Sequence, residues 1–543
     1  MKTTMWEAPL LVTEILRHGT TVCADETVTT ATVCGYRQAR FDEIGRRAAQ
    51  LAHGLRSLGI RTDERVATFM WNNQEHLEAF YAVPCMGAVL HTLNIRLASE
   101  QIAYCATQAE DRVLLVDQSL IPLLAQVLPN LDTVHTVVVA GDGDVEALQV
   151  SGKSVVRYDD LLAGQPSVFD WPRLNETAAA AICYTSGTTG NPKGIVYSHR
   201  STYLHAMAVC TPNAMAIAAG DRVLPIVPMF HANAWGLPYS AMMAGASLVM
   251  TDRHLKADRL VDMIEQHKVT IAAAVPTVIN DVKRYLDGQV GRDVSSLRLI
   301  PCGGSAVPQR LMKEFQDGYG VPIRQAWGMT ETSPLAAVAW PPAGVTDNEH
   351  WRLRNTAGRP VCGVEARIVA DDGRTLPWDG RSIGELEVRG NWVTASYFGE
   401  QRSPRSHDGW LPTGDVASID SRGFITLTDR AKDVIKSGGE WISSVELENH
   451  IMAHPAVIEA CVVAVPDPRW QERPLAAVVP ADGADVTAAE LRGFLSDRVP
   501  RWQLPERWTF MCEVPRTSVG KFDKKAVRNA YAHRLYDVIV CHE

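Results

Sequence analysis

Tyr184-Thr-Ser-Gly-Thr-Thr-Gly-Asn-Pro-Lys-Gly194 sets four Ser/Thr hydroxyls, three glycines and one lysine within eleven residues. Backbone N–H groups beside Gly187, Gly190 and Gly194 can approach phosphate oxygens with no Cβ in the way. The hydroxyls of Thr185, Ser186, Thr188 and Thr189 and the Lys193 ammonium add further donors. This is the composition of a loop that holds a polyphosphate such as ATP, although a glycine-rich segment by itself is also what a plain turn looks like. In a Walker A loop the lysine follows the last glycine and precedes Ser or Thr, whereas here Lys193 follows Pro192 and precedes Gly194, so the P-loop class is excluded. The apolar lead-in Ala179-Ala-Ala-Ile182 predicts a buried strand feeding the loop.

Upstream, helix-like and strand-like segments alternate. Ile44, Ala48, Leu51 and Leu55 recur at helical spacing and predict a helix over Phe41–Leu58, stopped by Gly59. Strands are predicted over 65–70, 88–93 and 112–116, and helices over 74–83 and 99–107. Such alternation implies α/β architecture with sheets covered by helices. Gly164 to Glu176 reads as a surface connector. The charged stretch Asp429 to Lys436, after a strand predicted over 423–427, ends in Gly438-Gly439 and marks a domain boundary. Beyond it a helix over 445–453, strands over 460–465 and 475–479, and a helix over 488–499 predict a small α+β unit. The expected division is 1–430 and 431–543.

Four more segments follow the loop: Gln325-Ala-Trp-Gly-Met-Thr-Glu-Thr332, Pro412-Thr-Gly-Asp415, Asp429-Arg-Ala-Lys-Asp433 running on to Lys436-Ser-Gly-Gly-Glu-Trp441, and Pro515-Arg-Thr-Ser-Val-Gly-Lys521. Five motifs in this order resemble the adenylate-forming superfamily of acyl-CoA synthetases, luciferases and peptide-synthetase adenylation domains. The resemblance implies a large N-terminal domain of mixed sheets layered by helices. It also implies a small C-terminal lid that turns on a hinge near Lys432. The activity implied is ATP-dependent formation of acyl-AMP, then transfer of the acyl group to an acceptor.

The resemblance assigns roles residue by residue. Lys521 corresponds to the adenylation lysine, Thr330 to an α-phosphate ligand, and Glu331 with Thr185 to the Mg²⁺ site, a hard-oxygen pair suited to that ion. Trp327 stands where many relatives carry tyrosine and would cover adenine; alone it would read as core. Asp415 can accept from both ribose hydroxyls with Arg430 as a second ribose contact, though Asp after Thr-Gly is also a common turn residue. Lys436 is implied as a second lid lysine, and for it and Lys432 the plain alternative is a solvated charge run. Gly303 and Gly304, with Gln325, Ala326 and Gly328, would bring backbone against the nucleotide. Trp441 would lie near the adenine end, and Gly438 and Gly439 would pass the pantetheine arm of CoA. His231 and Trp235, four apart and so on one face if the segment is helical, would shape the acyl pocket with Gly303, Val275, Pro276 and Pro334. In relatives His231 swings between half-reactions; read alone it is a packed core histidine.

Phe80 to Leu97 and Ser437 to Asn449 resemble the medium- and long-chain fatty acyl-CoA synthetase branch, which implies CoA as acceptor and a hydrophobic acid as substrate. Two alternatives stand beside it: a ligase that loads an acyl carrier protein in trans, and a nucleotide-binding pseudoenzyme. The presence of Lys521, Glu331, Thr330 and Asp415 argues against the latter. A homodimer is compatible with the class.

Composition agrees with a large enzyme. The 543 residues exceed what one core usually supports, and 46% hydrophobic with 21% charged residues is ordinary globular usage. A net charge of −9 without a basic stripe points away from nucleic acid. Eleven cysteines without paired spacing read as reduced core thiols rather than a disulfide framework or zinc site. No signal-like or membrane-spanning apolar run is read, so a cytoplasmic setting is expected.

Overall fold

Strands buried on both faces of a parallel sheet read as unbroken apolar runs, and Thr136-Val-Val-Val-Ala140 is buried at every position. The computed structural model describes residues 1, 3–149, 152–185, 191–400, 408–430, 433, 435–437, 440–517 and 521–541, with 430, 440 and 441 described by backbone alone. Ser186, Gly187, Thr188, Thr189, Gly190, Lys432, Gly438 and Gly439, and the side chains of Arg430 and Trp441, therefore lie outside the described residues.

Among the described residues, Thr136–Ala140 belongs to a seven-stranded sheet. Its order is Ser154–Arg157, Thr136–Ala140, Asp111–Asp117, Arg65–Phe69, Val89–Thr92, Ala179–Tyr184 and Gly194–Ser198. All pairs are parallel except the last, where Tyr184 faces Gly194 across the phosphate loop. The expected buried strand before that loop is thus Ala179–Tyr184. The helix Phe41–Ser57 packs Ile44, Ala48, Leu51 and Leu55 into the main core, each Leu or Ile contributing about 2 kcal/mol by burial. The helix Gln74–Cys85 begins where Asn73 accepts from the His76 N–H at 3.0 Å, an N-cap. Residues 164–176 form no helix or strand, as expected of a connector.

A second, five-stranded sheet orders Ile271–Ala273, Arg222–Pro225, Ser247–Met250, Thr27–Thr32 and Gly35–Arg40. A third begins with Ile300–Gly303 parallel to Ile323–Gly328, continued antiparallel by Leu335–Val338. A fourth, wholly antiparallel, runs from Val364–Val369 to Ile425–Arg430. The C-terminal sheet is separate, centred on Gln471–Pro480 and covered by helices Ser444–Met452, Ala488–Ser496 and Lys524–Ala532.

Several expected bounds shift for physical reasons. The strand predicted over 460–465 is the middle of Val457–Asp467, paired antiparallel with Gln471–Pro480. Its charged ends stay in the ladder because Glu459 is paired with Arg516, and Asp467 with Arg507 at 2.9 Å. Likewise the strand read over 423–427 is Ile425–Arg430, because Asp429 and Arg430 pair with Val416 and Asp415. The expectation of core thiols holds for Cys85, Cys105, Cys183, Cys302 and Cys461, but Cys34, Cys362 and Cys512 are exposed. All eleven cysteines are free. Among the described residues no helix is long and apolar enough to cross a membrane.

Candidate active site

The loop expected to hold phosphate is closed at its base by two hydrogen bonds: Thr185 N–H donates to the Lys193 carbonyl at 2.9 Å, and Lys193 N–H donates to Thr185 Oγ1 at 3.2 Å. The Lys193 ammonium stands 4.4 Å from the centre of the Tyr397 ring and 3.9 Å from Glu400. The Tyr397 hydroxyl in turn donates to Glu331 Oε1 at 3.0 Å. Tyr397 therefore joins the loop lysine to the buried Glu331 carboxylate, although the three residues come from distant parts of the chain.

Thr330–Thr332 forms a single tight turn after the Ile323–Gly328 strand. Its carbonyls are held from outside, Thr330 by the Tyr197 hydroxyl at 2.7 Å and Glu331 by the Thr394 N–H at 2.8 Å. Gly328 cannot be replaced here, since a Cβ would lie 1.7 Å from the Pro334 carbonyl oxygen. Beneath the turn, the Leu335 N–H donates to His205 Nε2 at 3.2 Å, and the Trp392 indole donates to the Leu335 carbonyl at 2.9 Å. Burial pushes His205 down to about 3, which keeps it a neutral acceptor.

The Gln325 carboxamide is engaged within the chain. Its Oε1 accepts from the Val307 N–H at 2.7 Å, and its Nε2 donates to the Thr356 carbonyl at 2.8 Å, fastening the segment after Gly304 to the strand. Ala326 pairs with Val338 in the same sheet. Trp327, expected to cover adenine, lies at the edge of the main core. The residue is 9% exposed, and its indole N–H donates to Asp415 Oδ2 at 3.0 Å. The tryptophan thus orients the buried carboxylate, which projects from strand Leu411–Ile419.

The segment leading to His231 is held by a residue that the motifs did not reveal. Buried Asn72 donates to the carbonyls of Pro225 at 2.8 Å and Val227 at 2.9 Å, and accepts from the Met229 N–H at 2.7 Å. This clamps the approach to His231. The following residues do not put His231 and Trp235 on one helical face: Ala232, Asn233, Ala234 and Trp235 all have left-handed φ, between 43° and 58°. The turn survives because Asn233 Oδ1 accepts from the Cys183 thiol at 3.1 Å. Gly236 completes it, where a Cβ would lie 2.7 Å from His205 Nδ1.

Six of the expected residues then meet. A Cβ on Gly303 would stand 2.6 Å from the Ala326 carbonyl and 3.4 Å from the Trp235 ring. One on Gly304, with φ of +88°, would stand 3.3 Å from Val275 and 3.7 Å from Lys521 Cε. The lid therefore presents Lys521 to the large domain. Its loop is pinned by Thr517 N–H donating to the Lys521 carbonyl at 2.7 Å and Lys521 N–H donating to Thr517 Oγ1 at 3.2 Å. Lys436 is exposed on the lid strand Ile435–Ser437, its N–H donating to Glu472 at 2.8 Å.

His231 is held down to about 4, by burial first and then by the Lys521 and Arg96 charges. Its folded value lies below the ordinary 6.5, so at pH 7 the ring is neutral in the folded chain and mostly neutral in the unfolded one. As pH falls through that ordinary value the unfolded chain binds the proton first, and this contribution to stability is lost progressively down to about pH 4. In Lys521→Ala the His231 midpoint should rise while staying below 6.5, because burial, the larger cause, persists. Histidine ring titration by NMR reads this, and an unmoved midpoint would separate the two groups.

Asn72, Tyr197, His205 and Tyr397 lie outside the five motifs. For Asn72 one signal existed: it follows the C-terminal end of parallel strand Arg65–Phe69, the side on which open α/β sheets place ligands. Nothing in the local sequence marks Tyr397.

A family described as AMP-binding enzyme matches residues 21–398. The chain belongs to this family. Residues 446–521 match the AMP-binding enzyme C-terminal domain. The chain is 42% identical to the 3-methylmercaptopropionyl-CoA ligase of Ruegeria pomeroyi over 531 residues, 97% of this chain and 98% of that one. It is 43% identical to the medium-chain-fatty-acid–CoA ligase of Ectopseudomonas oleovorans over 516 residues, 94% of each. The crystal structure of the anthranilate CoA ligase AuaEII with anthranoyl-AMP has the same fold, with a TM-score of 0.87 at 26% identity, covering 98% of this chain and 100% of that one.

AMP-binding enzymes that form acyl-CoA use Mg²⁺. The donor chemistry fits: Glu331 offers a buried carboxylate with Tyr397 on one oxygen, Thr185 offers a hydroxyl, and Mg²⁺ typically takes one or two carboxylates with substrate phosphates and water.

Proposed function

We propose that the chain is an AMP-forming acid–thiol ligase that converts a hydrophobic carboxylic acid to its CoA thioester, with an acyl group between a short thioether acid and a medium-length fatty chain. The observation that carries this reading is Lys521 of the lid standing at Gly304 beside His231, where an acid carboxylate and an α-phosphate can share one cation. The names of the two bacterial relatives support the acyl range.

In the first half-reaction a carboxylate oxygen attacks the α-phosphorus and pyrophosphate leaves. The residues position the reactants and stabilise charge that grows in the transition state. Lys521 neutralises the attacking carboxylate and the α-phosphate, Thr330 donates to the same phosphate, and the phosphate loop with Lys193 receives the leaving group. Mg²⁺, held by Glu331 and Thr185, supplies further neutralisation of the phosphates. Asp415 binds the ribose hydroxyls, oriented by Trp327. Gly303, Trp235, Val275 and Pro334 wall the acyl group, and neutral His231 borders the carboxylate without adding positive charge. In the second half-reaction the CoA sulfur attacks the acyl carbonyl, the thiol proton is lost and AMP leaves. We place the domain division between 430 and 431, with the hinge at Lys432. This placement is supported by the end of strand Ile425–Arg430 and the start of the lid strand Ile435–Ser437.

Trp327→Phe should keep the packing but remove the donor to Asp415. We expect KM for ATP to rise about tenfold with kcat little changed, the scale of a hydrogen bond to a charged group. An unchanged KM would detach Asp415 from nucleotide binding.

Product identification tests the whole reading: purified protein, ATP, Mg²⁺ and a panel of short thioether, aromatic, medium- and long-chain acids, each with and without CoA, read by mass spectrometry. Acyl-CoA with AMP is the expected result. Acyl-AMP that accumulates regardless of CoA would transfer the acceptor role to a carrier protein.

A further inference from the structure

Helix Pro276–Asp287 of the large domain forms one wall of a cleft of about 720 Å³ whose other wall is the lid. Thr277, Asp281 and Arg284 of the helix face Glu459, Asp482 and Arg516 of the lid across it. The Arg284 guanidinium reaches Asp482 at 3.7 Å. Arg516 is ion-paired with Glu459 of the lid's long strand, and it pairs by backbone with Phe522, so that it belongs to the turn that presents Lys521. Asp281 is within electrostatic range of both arginines: burial pushes its carboxyl up, while Arg284 and Arg516 hold it down. Burial pushes the Glu459 carboxyl up, Arg516 holds it down, and Asp281 adds to the rise from across the cleft. Another polar contact joins the domains nearby, Arg310 donating to the His454 carbonyl at 3.4 Å.

We infer that this helix is the dock for the lid in the orientation that brings Lys521 to Gly304, with Arg284 and Asp281 as positioning residues for acyl-AMP formation through Asp482 and Arg516. The inference rests on the activity proposed above. Docking charges that oppose one another only in this orientation bias the lid toward it, and the bias is released when the lid turns for thioester formation. Arg284 and Asp482 are exposed, so their contact is weak enough to be remade at every turnover. A large, apolar dock would instead trap the lid.

The test separates the two half-reactions. In Arg284→Glu, acyl-AMP formation, followed as pyrophosphate release, should fall about fivefold at low salt. Thioester formation from supplied acyl-AMP and CoA should be unchanged. The swap Arg284→Glu with Asp482→Arg should recover most of the loss, and raised salt should shrink the difference between variants. Equal loss in both half-reactions, no loss, or no recovery in the swap would overturn the dock. Small-angle X-ray scattering of the ATP-bound protein reads lid orientation without turnover: Arg284→Glu should change the profile and the swap should restore it. If the parent chain makes no acyl-AMP yet these profiles behave so, the activity fails and the dock stands. Profiles that do not differ overturn the dock.

Discussion

Lys521→Ala should slow acyl-AMP formation about a thousandfold, the scale of removing a preorganised charge from a developing anion, while thioester formation from supplied acyl-AMP changes little. The asymmetry follows from position. Lys521 reaches the large domain from a lid loop, and what it touches, Gly304 and its surroundings, is where the adenylation step is placed. Little of the effect should come from misfolding, because the loop's own bonds, Thr517 N–H to the residue 521 carbonyl and the 521 N–H back to Thr517, use only backbone at 521. Pyrophosphate release from ATP and acid measures the first step, and stopped-flow mixing of synthetic acyl-AMP with CoA the second. Equal loss of both would remove Lys521 from a step-specific role.

The second large effect is expected at Glu331. Glu331→Gln keeps the shape and the acceptor for the Tyr397 hydroxyl but removes the charge from a buried position. Apparent Mg²⁺ affinity in pyrophosphate release should weaken about a hundredfold, with part of the rate returning at high Mg²⁺. A Mg²⁺ titration that superimposes on that of the parent chain would place the ion elsewhere. Because the amide still accepts from Tyr397, the position of the Lys193 ammonium over that ring should be retained, which isolates the electrostatic contribution.

What could be read along the chain was what neighbours in sequence determine. The apolar lead-in Ala179 to Ile182 predicted a buried strand, and the helical spacing of 41–58 predicted a core helix; both are found. What could not be read depends on segments that meet only after folding. Asn72 acts on 225–229, Tyr397 on Lys193 and Glu331, and His205 on Leu335. Each is an ordinary residue locally, and only its partner gives it a role. Trp327 shows the same limit: its motif position suggested a ring near adenine, but its bond to Asp415 depends on a strand almost ninety residues later. At 231–235 the pattern misled for another reason. Spacing of four implies a shared face only under right-handed geometry, and a run of left-handed φ cannot be deduced from alanine and tryptophan, which ordinarily avoid it.

That left-handed segment, Ala232 to Trp235, also sets how this enzyme can be improved. Each non-glycine residue held at left-handed φ costs about 1 kcal/mol or more, so glycine at 232 or 234 is an accessible route to a more heat-resistant chain. The same change would loosen the turn that carries Trp235 against Gly303, so under the acyl-pocket assignment proposed above thermal robustness and discrimination between acyl groups are opposed at one short segment. Selection for survival at high temperature alone would tend to produce a broader catalyst, and selection for a narrow substrate range would tend to retain the strain.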